Sequence, residues 1–381
     1  MVQLKTSLLV LILSTTLSCS HFSTNRLPAA SAPFAAVEAG NVFASYEPLK
    51  VELEAPLKDL FDQNRQDIVA FKKQTLDGTL SYWNDQGQKI SLPVSIKAKG
   101  FSSTSFCTFP KLELKFTSKD REGTLFAKTK TMDLNTHCGD PAQGGSMAPF
   151  MKAFNFNHRE ALVYRMAEVL GIPTFKARPL FVKYSKTKIS AVDQSPNSFR
   201  AFFLEDAGNF TKRLNGKEIK GTDDSMKPYT LAVSPEKATM FAFTDVKSSS
   251  QVDPEDAVRI ALFQTMIGNS DWFIKMTPSS QRGSNDPTNL WNTKIVELPS
   301  GHWVLFPQDF NFANINLGFP AVPTNFGKEI LDSVDSATMV RLKQNFKDKK
   351  EDVYKLLKTL QADPEGPALM QKTLDSFYSQ L

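Results

Sequence analysis

Apolar and polar residues alternate along the first half of the folded region, and this period of two is typical of strands. Strands are predicted at residues 80–83, 90–99, 111–116, 177–184 and 198–204. Leu92, Val94 and Ile96 share one face of the second strand, and residues 85–87 supply the turn that joins it to the first as a hairpin. The pattern predicts a small antiparallel sheet with one buried face and one solvated face.

From about residue 157 onward, apolar residues more often recur at the spacing of a helix face. One helix is predicted to start at Asn157, as its N-cap, and to end at Gly171 and Pro173. A second starts at Asp253 and ends at Gly268. A hairpin follows over residues 294–296 and 302–306, and residues 333–381 predict two or three more helices. Strands first and helices later predict an α+β fold.

The N-terminus has the pattern of an export signal. Residues 1–18 contain Lys5, a short apolar run and then small polar residues, which predicts a signal peptide. Cys19 follows a small residue and is the predicted lipidation site of a bacterial lipoprotein; plain cleavage nearby is the alternative. The residue after Cys19 is Ser20 and not Asp, which resembles lipoproteins that are sent on to the outer membrane. Residues 19–45 predict a flexible, lipidated tether, and residues 46–381 the folded domain.

Composition supports a globular exported protein. Hydrophobic residues make up 41% of 381, enough for a large core, and the net charge of +5 is spread out. No basic stripe interleaves with aromatics, so nucleic-acid binding is not expected. Cys107 and Cys138 remain as an even pair, which predicts a structural disulfide; a reactive or metal-binding pair is the competing interpretation.

Two short segments with one aspartate each, residues 268–272 and 307–312, contain the candidate functional residues and are called the first and second acidic stations. Asp271 follows a predicted helix, and Asp309 follows a predicted strand. Asn292 lies between them in the sequence and adds an amide oxygen. This order of carboxylate, amide and carboxylate is what a phosphotransferase needs to orient a hydroxyl and to hold Mg²⁺. The alternative is ordinary capping, since Asp is common after helices and at turns.

Several short stretches between residues 92 and 313 together resemble the spore-coat CotH kinase family. They are residues 99–103 (KGFSS), 109–116 (FPKLELKF), 201–205 (AFFLE), 267–272 (IGNSDW) and 307–311 (PQDFN). The resemblance implies a secreted, atypical protein-kinase-like fold of two lobes. The N-lobe would span about residues 46–205, with the antiparallel sheet, and the mostly helical C-lobe about residues 206–381.

The resemblance implies a phosphate loop followed by a lysine. Gly100, Ser102 and Ser103 stand where the family replaces the glycine-rich loop, so that backbone N–H groups approach phosphate oxygens. A simple strand-end turn is the alternative for these three residues. Lys111 stands at the family's lysine, which would meet the α- and β-phosphates. Its alternative is an exposed strand lysine.

Two glutamates are implied to support the nucleotide. Glu160 would pair with that lysine, although Asn157 and Glu160 also have the spacing of a capping box. Glu205 matches the glutamate at the end of a strand and is interpreted as a nucleotide-pocket residue. Its alternative is a helix cap for residues 207–214.

The remaining roles concern the transfer itself. Asp271 is the candidate general base, while Asn292, Asp309 and Asn311 are the candidate ligands of Mg²⁺ or Mn²⁺. The family commonly has Asp-Phe-Asp where this chain has Asp309-Phe310-Asn311, so one negative charge is lost. The segment between Asp271 and Asn292 is also longer than usual.

The resemblance therefore implies an exported kinase that transfers phosphate from ATP to Ser or Thr of an envelope or secreted protein. A catalytically inactive pseudokinase, binding protein or glycan, is the alternative, because a charge is lost at the metal site and ATP is scarce outside the cell. The membrane would be contacted through the lipid anchor alone. A serine hydrolase is disfavoured, since no Gly-x-Ser-x-Gly elbow is present.

Overall fold

The computed structural model describes residues 40–63, 67–100, 103–104, 107–117, 119–138, 156–196, 198–219, 252–274, 290–321 and 325–381. The predicted signal peptide, the lipidation site at Cys19 and the loop residue Ser102 lie outside these ranges. Within them, no helix has the length and apolar character needed to cross a membrane.

The N-terminal strands close into a barrel. Its strands are β1 (Leu49–Glu54), β2 (Leu76–Trp83), β3 (Lys89–Ala98), β4 (Leu112–Phe116), β5 (Thr131–Asn135), β6 (Ala177–Ser185) and β7 (Phe199–Glu205). They are ordered β1-β2-β3-β4-β5-β7-β6, and β6 returns to pair in parallel with β1. The predicted antiparallel sheet is confirmed in all the other strand pairs. The parallel β1–β6 pair, which was not predicted, closes the sheet and removes its edges.

Both faces of the barrel wall are buried at β7, which explains its apolar run. Phe203 belongs to the core inside the barrel, whereas Phe202 and Leu204 belong to a second core outside it. In β3, by contrast, the buried residues alternate: Leu92, Val94 and Ile96 are buried, as the sequence predicts, and so is Ala98. The expected solvated face is therefore present on part of the barrel only, because the C-terminal elements cover the rest.

Most helices follow the barrel strand β5. The helices of the described residues are α1 (Leu57–Phe61) and α2 (Ile68–Phe71) before β5, and after it α3 (Phe156–Val169), α4 (Ser190–Asp193), α5 (Ala207–Arg213), α6 (Pro254–Ile267), α7 (Asn325–Leu331), α8 (Ser336–Asp348), α9 (Lys350–Leu357) and α10 (Gly366–Tyr378). A 3₁₀ turn spans Asn314–Asn316. The second core packs α3 and α6 against β7 and the C-terminal helices. The fold is thus mixed α+β, with its sheet N-terminal and its helices mostly C-terminal.

The helix α6 forms as its local signals predict. Asp253 accepts a hydrogen bond from the backbone N–H of Glu255 as N-cap, and Pro254 occupies the first turn. Gly268 ends the helix with φ of 63°, in the left-handed region that favours glycine. The chain therefore leaves the helix directly before Asn269.

Two small sheets complete the fold near the candidate site. One is three-stranded, with β12 (Trp303–Pro307), β11 (Thr293–Glu297) and β8 (Lys217–Glu218) in that order. The other pairs β9 (Phe273–Ile274) with β10 (Leu290–Trp291). The predicted hairpin over residues 294–306 is confirmed as β11–β12. Its strands end next to Asn292 and Asp309.

The predicted disulfide is confirmed. Cys107 and Cys138 are bonded across a sequence separation of 31 residues. The backbone N–H of Phe109 also donates to the carbonyl of Cys138 at 3.1 Å. The bond and this contact fasten the segment between β3 and β4 to the end of β5.

Candidate functional site

The candidate site lies where the barrel meets the C-terminal part of the chain. Lys111 precedes β4, and its carbonyl accepts from the N–H of Lys99, which continues the β3–β4 ladder by one residue pair. The ammonium of Lys111 lies 3.7 Å from Oδ1 of Asp309, which follows β12. Both side chains are about one-third exposed, at 30% and 38%. This ion pair joins residues almost 200 positions apart and stays accessible to a ligand.

Glu160 brings a second carboxylate to the same place from α3. The side chain is buried, and the backbone N–H of Phe310 donates to it. Its Oε1 atom accepts no hydrogen bond from the described residues. Burial raises the pKa of Glu160 to about 7 and outweighs the lowering effect of Lys111. Glu160 therefore belongs to the Lys111 cluster. Asn157, the predicted N-cap, lies inside α3, and its side-chain amide donates to the carbonyls of Thr136 and Arg200.

The charge on Lys111 is maintained by these carboxylates. Burial would lower its pKa, but Asp309 and Glu160, with a contribution from Asp133, outweigh this effect and raise the pKa. The lysine is thus a fixed cation. A fixed cation that is itself partly exposed, beside the partly exposed carboxylate of Asp309, is suited to contact phosphate oxygens.

The backbone of Asp309 is held in an uncommon conformation. Its φ of 56° is left-handed, and its N–H points to the hydroxyl of Tyr164 at 3.0 Å. The next residue, Phe310, is fully buried and contacts Tyr164 and Phe263, with ring centroids 4.7 and 5.6 Å apart. Phe310 therefore anchors the turn in the core, so that Asp309 faces Lys111. A left-handed non-glycine residue is often found at functional sites.

Asp271, in the first acidic station, is oriented by Trp291 of β10 and by Asn292, which directly follows β10. Its Oδ1 accepts from the indole N–H of Trp291 at 2.8 Å, and its Oδ2 accepts from the amide of Asn292 at 3.0 Å. Its own backbone N–H donates to Oδ1 of Asn269 at 3.0 Å. The carboxylate is thus oriented by two side-chain donors. A carboxylate has about four acceptor positions, which leaves capacity for a substrate hydroxyl.

Asn292 links the two stations. Its side-chain amide binds Asp271, while its backbone carbonyl accepts from the N–H of Gln308, the residue before Asp309, at 2.9 Å. Asn292 also has a left-handed φ of 48° and is buried. The structure therefore brings Lys111, Glu160 and Asp309 into one cluster, with Asp271 and Asn292 beside it.

The residues next to Gly100 form a tight turn. Gly100 has φ of 86°, and a Cβ there would lie 3.1 Å from Oγ of Ser103. The Ser103 hydroxyl accepts from the N–H of Lys111 and donates to the carbonyl of Lys99, each at 2.9 Å. Ser103 therefore fixes the turn between the two lysines. Contact of Gly100 and Ser103 with phosphate stays a prediction.

Glu205 lies in a separate cluster. Its carboxylate accepts from Arg213 at 2.7 and 3.0 Å and from the backbone N–H of Lys176 at 3.1 Å. Asp206, one residue later, caps α5 by accepting from the N–H groups of Gly208 and Asn209. The capping role considered for Glu205 thus belongs to its neighbour, and its role in a nucleotide pocket stays a prediction.

Two buried oxygens without a hydrogen bond lie where the metal ligands are predicted. Oδ1 of Asn311 and Oδ1 of Asp309 accept no hydrogen bond from the described residues, although Oδ1 of Asp309 lies 3.7 Å from the ammonium of Lys111. Carboxylate and amide oxygens of this kind suit Mg²⁺. Among the described residues, no group of three or more His, Cys, Asp or Glu could hold a metal by itself. A cation here would therefore need amide, phosphate and water oxygens as further ligands.

Sequence reasoning missed several residues at this site. Tyr164 lies four positions after Glu160, one helical turn along, but nothing in its surroundings marks a contact with Asp309. Trp291 directly precedes Asn292, and Asn269 lies in the first acidic station, so both stood close to residues already considered. Lys99 is the first residue of the KGFSS stretch, and no role was predicted for it.

Comparison with known proteins gives little further identification. No protein-family model matches this sequence, and no protein of curated function matches it. Among solved structures, that of a Helicobacter pylori proinflammatory kinase, CtkA, is similar over 72% of this chain and 96% of its own, with 8% identity and a TM-score of 0.39. At that TM-score, residues cannot be assigned by structural position.

Proposed function

We propose that this protein is a phosphotransferase with a kinase-like arrangement of its two lobes, which moves a phosphoryl group from ATP to a protein hydroxyl. The observation that supports this best is the meeting of Lys111, Glu160 and Asp309. A lysine supported by a helix glutamate and an aspartate that follows a strand is the set that kinases use around nucleotide phosphates.

Each member of the site has a role in this proposal. Lys111 binds phosphate oxygens and is kept charged by Glu160 and Asp309. Asp271 accepts the proton of the acceptor hydroxyl, and Trp291 and Asn292 hold its carboxylate in orientation. Because Asn292 is hydrogen-bonded to Gln308, the base and Asp309 keep a fixed separation during transfer.

Asp309 and Asn311, with Asn292, would hold Mg²⁺ or Mn²⁺ with the nucleotide. When bound, the cation would neutralise charge on the β- and γ-phosphates. The Oδ1 atoms of Asp309 and Asn311, which accept no hydrogen bond from the described residues, support this assignment. The amide at Asn311 offers oxygen without charge, so we expect weaker metal binding than with two carboxylates.

We also propose that the protein is an exported lipoprotein, anchored through Cys19, whose acceptor is an envelope or secreted protein. The Cys107–Cys138 disulfide supports an oxidising compartment. The acceptor hydroxyl is that of Ser or Thr, as in the family that the sequence resembles.

The test is phosphate transfer by the full chain with Mg²⁺ or Mn²⁺ and γ-labelled ATP, read as label in protein. Lys111→Met, Asp271→Asn and Asp309→Ala should each reduce labelling at least about a hundredfold, because general-base and charge-stabilising groups contribute on this scale. Lys115→Met is the matched control for Lys111, since Lys115 is an exposed lysine of β4, the strand that directly follows Lys111. Labelling that survives all three site variants would contradict the assignment.

A second candidate is a non-catalytic module that binds protein or glycan. Two observations favour it: both oxygens of Asp271 already accept hydrogen bonds, and Asn311 stands where a second carboxylate is common. This candidate predicts no label in the wild type and no rise in melting temperature with Mg²⁺ and ATP. Nucleotide binding without transfer would instead identify a pseudokinase.

A further inference from the structure

The turn that carries Asp309 rests on Tyr164 of α3. The side chain of Tyr164 is 2% exposed, and the centroid of its ring lies 4.7 Å from that of Phe310 and 6.2 Å from that of Phe202. Its hydroxyl accepts the backbone N–H of Asp309 at 3.0 Å. The ring therefore packs in the core, while the hydroxyl reaches the backbone of a predicted metal ligand.

The hydroxyl of Tyr164 supports the left-handed backbone of Asp309. A residue with a Cβ seldom adopts a φ near 56°, so other contacts must favour this conformation. A backbone N–H that faces the core also needs an acceptor, and the N–H of Asp309 finds it in the Tyr164 hydroxyl. Loss of the hydroxyl would leave this N–H without its acceptor and would make the left-handed conformation less favourable.

Hydrogen bonds also hold the residues on either side of Asp309. The N–H of Gln308 donates to the carbonyl of Asn292 at 2.9 Å. The side-chain amide of Asn316 donates to the carbonyl of Phe310 at 2.7 Å. The turn is thus held at three consecutive residues, and the tyrosine hydroxyl forms the middle one of these hydrogen bonds.

The hydroxyl of Tyr164 remains neutral beside the carboxylates. Burial raises the pKa of Tyr164 well above its usual value, and the negative charges of Glu160 and Asp309 raise it further. The side chain therefore stays protonated. It offers a lone pair to the N–H of Asp309 without adding a negative charge to the site.

We propose that Tyr164 is a positioning residue, whose hydroxyl holds the left-handed turn so that Asp309 and Asn311 present their oxygens to one Mg²⁺ or Mn²⁺ ion. This inference rests on the proposed function and extends it to a residue that orients the metal ligands without binding the metal. The Oδ1 atoms of both ligands accept no hydrogen bond from the described residues, so the turn decides where they point. Loss of a group that orients metal ligands commonly costs about ten- to a hundredfold in metal affinity.

The experiment compares Tyr164→Phe with Tyr184→Phe in the full chain. Tyr164→Phe removes the hydroxyl and keeps the ring. Tyr184 is the matched control, because it is a buried tyrosine of the barrel core that undergoes the same chemical change, and its hydroxyl forms no hydrogen bond with the described residues. Calorimetry measures the binding of a non-hydrolysable ATP analogue, once as its Mn²⁺ complex and once without metal in the presence of EDTA.

We expect Tyr164→Phe to bind the Mn²⁺ complex about tenfold more weakly than the wild type, because its metal ligands are no longer held in place. Its affinity for the metal-free analogue should be unchanged, since Lys111 keeps its charge. Tyr184→Phe should match the wild type in both measurements. In the labelling assay, Tyr164→Phe should need about tenfold more Mn²⁺ for half-maximal transfer. A purely structural tyrosine would lower the melting temperature and weaken both forms of the analogue equally, which would overturn the positioning role.

The outcomes separate the two proposals. If Tyr164→Phe binds the Mn²⁺ complex as the wild type does, while Asp309→Ala does not, the positioning role is wrong and the proposed function stands. If the wild type binds the analogue in neither form, both proposals fail. If Tyr164→Phe is unstable, exchange of Tyr164 for 4-aminophenylalanine decides the question, because the amino group keeps the shape of the side chain but is a poorer acceptor. Wild-type affinity of that variant for the Mn²⁺ complex would also overturn the positioning role.

Discussion

Buried ionisable side chains on α3 show how position decides the properties of a residue. Glu160 is surrounded by Lys111, Asp309 and the N–H of Phe310, and burial raises its pKa to about 7. The sequence allowed either this cluster or a capping box, because spacing alone is compatible with both. Asp309 could be found from its acidic station and Lys111 from the family resemblance, whereas Tyr164 could not be found, since its contact depends on the turn at Asp309.

His158, on the same helix, should make the stability of the protein depend on pH. The ring is buried, and its Nε2 lies 2.8 Å from the carbonyl of Leu180. Burial lowers its pKa from 6.5 to about 4, and nearby Arg200 lowers it further, while the Leu180 carbonyl and Asp363 oppose the shift. Between those two pH values the unfolded chain binds a proton that the folded chain does not, so stability falls as the pH falls.

We therefore expect the wild type to lose about 3 kcal/mol more than His158→Gln in unfolding free energy as the pH falls from 7 to 4. Urea denaturation at several pH values measures this difference. His302→Gln is the control of opposite sign, because a hydrogen bond to Asp256 raises the pKa of His302 and its contribution is lost as the pH rises. Parallel curves for the wild type and His158→Gln would contradict the prediction.

At the scale of elements, local signals explain part of the site. The helix α6 ends at Gly268 because a left-handed residue is needed there, and this places Asn269 and Asp271 after it. The hairpin β11–β12 likewise delivers Asp309 after an apolar strand. Closure of the barrel was not predicted, because the pairing of β1 with β6 joins segments about 130 residues apart and leaves no local pattern.

The disulfide should stabilise the segment that carries Lys111. Cys107→Ser with Cys138→Ser should reduce the unfolding free energy by about 3 to 4 kcal/mol, because the closed loop of 31 residues constrains the unfolded chain. Guanidinium denaturation of the two proteins measures the loss. A reductant should destabilise the wild type to a similar degree and leave the double variant unchanged. Equal stability of both proteins would show that the constraint is unimportant.

At the scale of the whole molecule, a buried ion pair ties α3 to the C-terminal region. Arg159 donates to Asp363 at 2.6 and 3.1 Å and to the carbonyl of Asn316 at 2.6 Å. The side chains are 4% and 0% exposed. Asp363 also lies against Gly366, where a Cβ would come within 2.4 Å of its carboxylate. The C-terminal helices therefore support the helix that carries Glu160.

We expect Asp363→Ala to lower the unfolding free energy by about 3 to 5 kcal/mol, because it leaves Arg159 buried without its charged partner. Urea denaturation monitored by tryptophan fluorescence measures the change. Asp332→Ala removes the largely exposed partner of Lys328 and should leave stability unchanged. Equal effects of the two variants would contradict a supporting role for the buried pair.

The sequence by itself determined the local elements and the residue types of the candidate site. Periodicity, caps and glycines act over a few residues, so α6, the hairpins and the stations at Asp271 and Asp309 follow from neighbouring residues. The cysteine pair likewise predicted its own bond. Only the tertiary structure decided that the strands close into a barrel and that Glu160 joins Lys111 and Asp309. These depend on contacts between distant segments, which burial and packing fix only when the whole chain is folded.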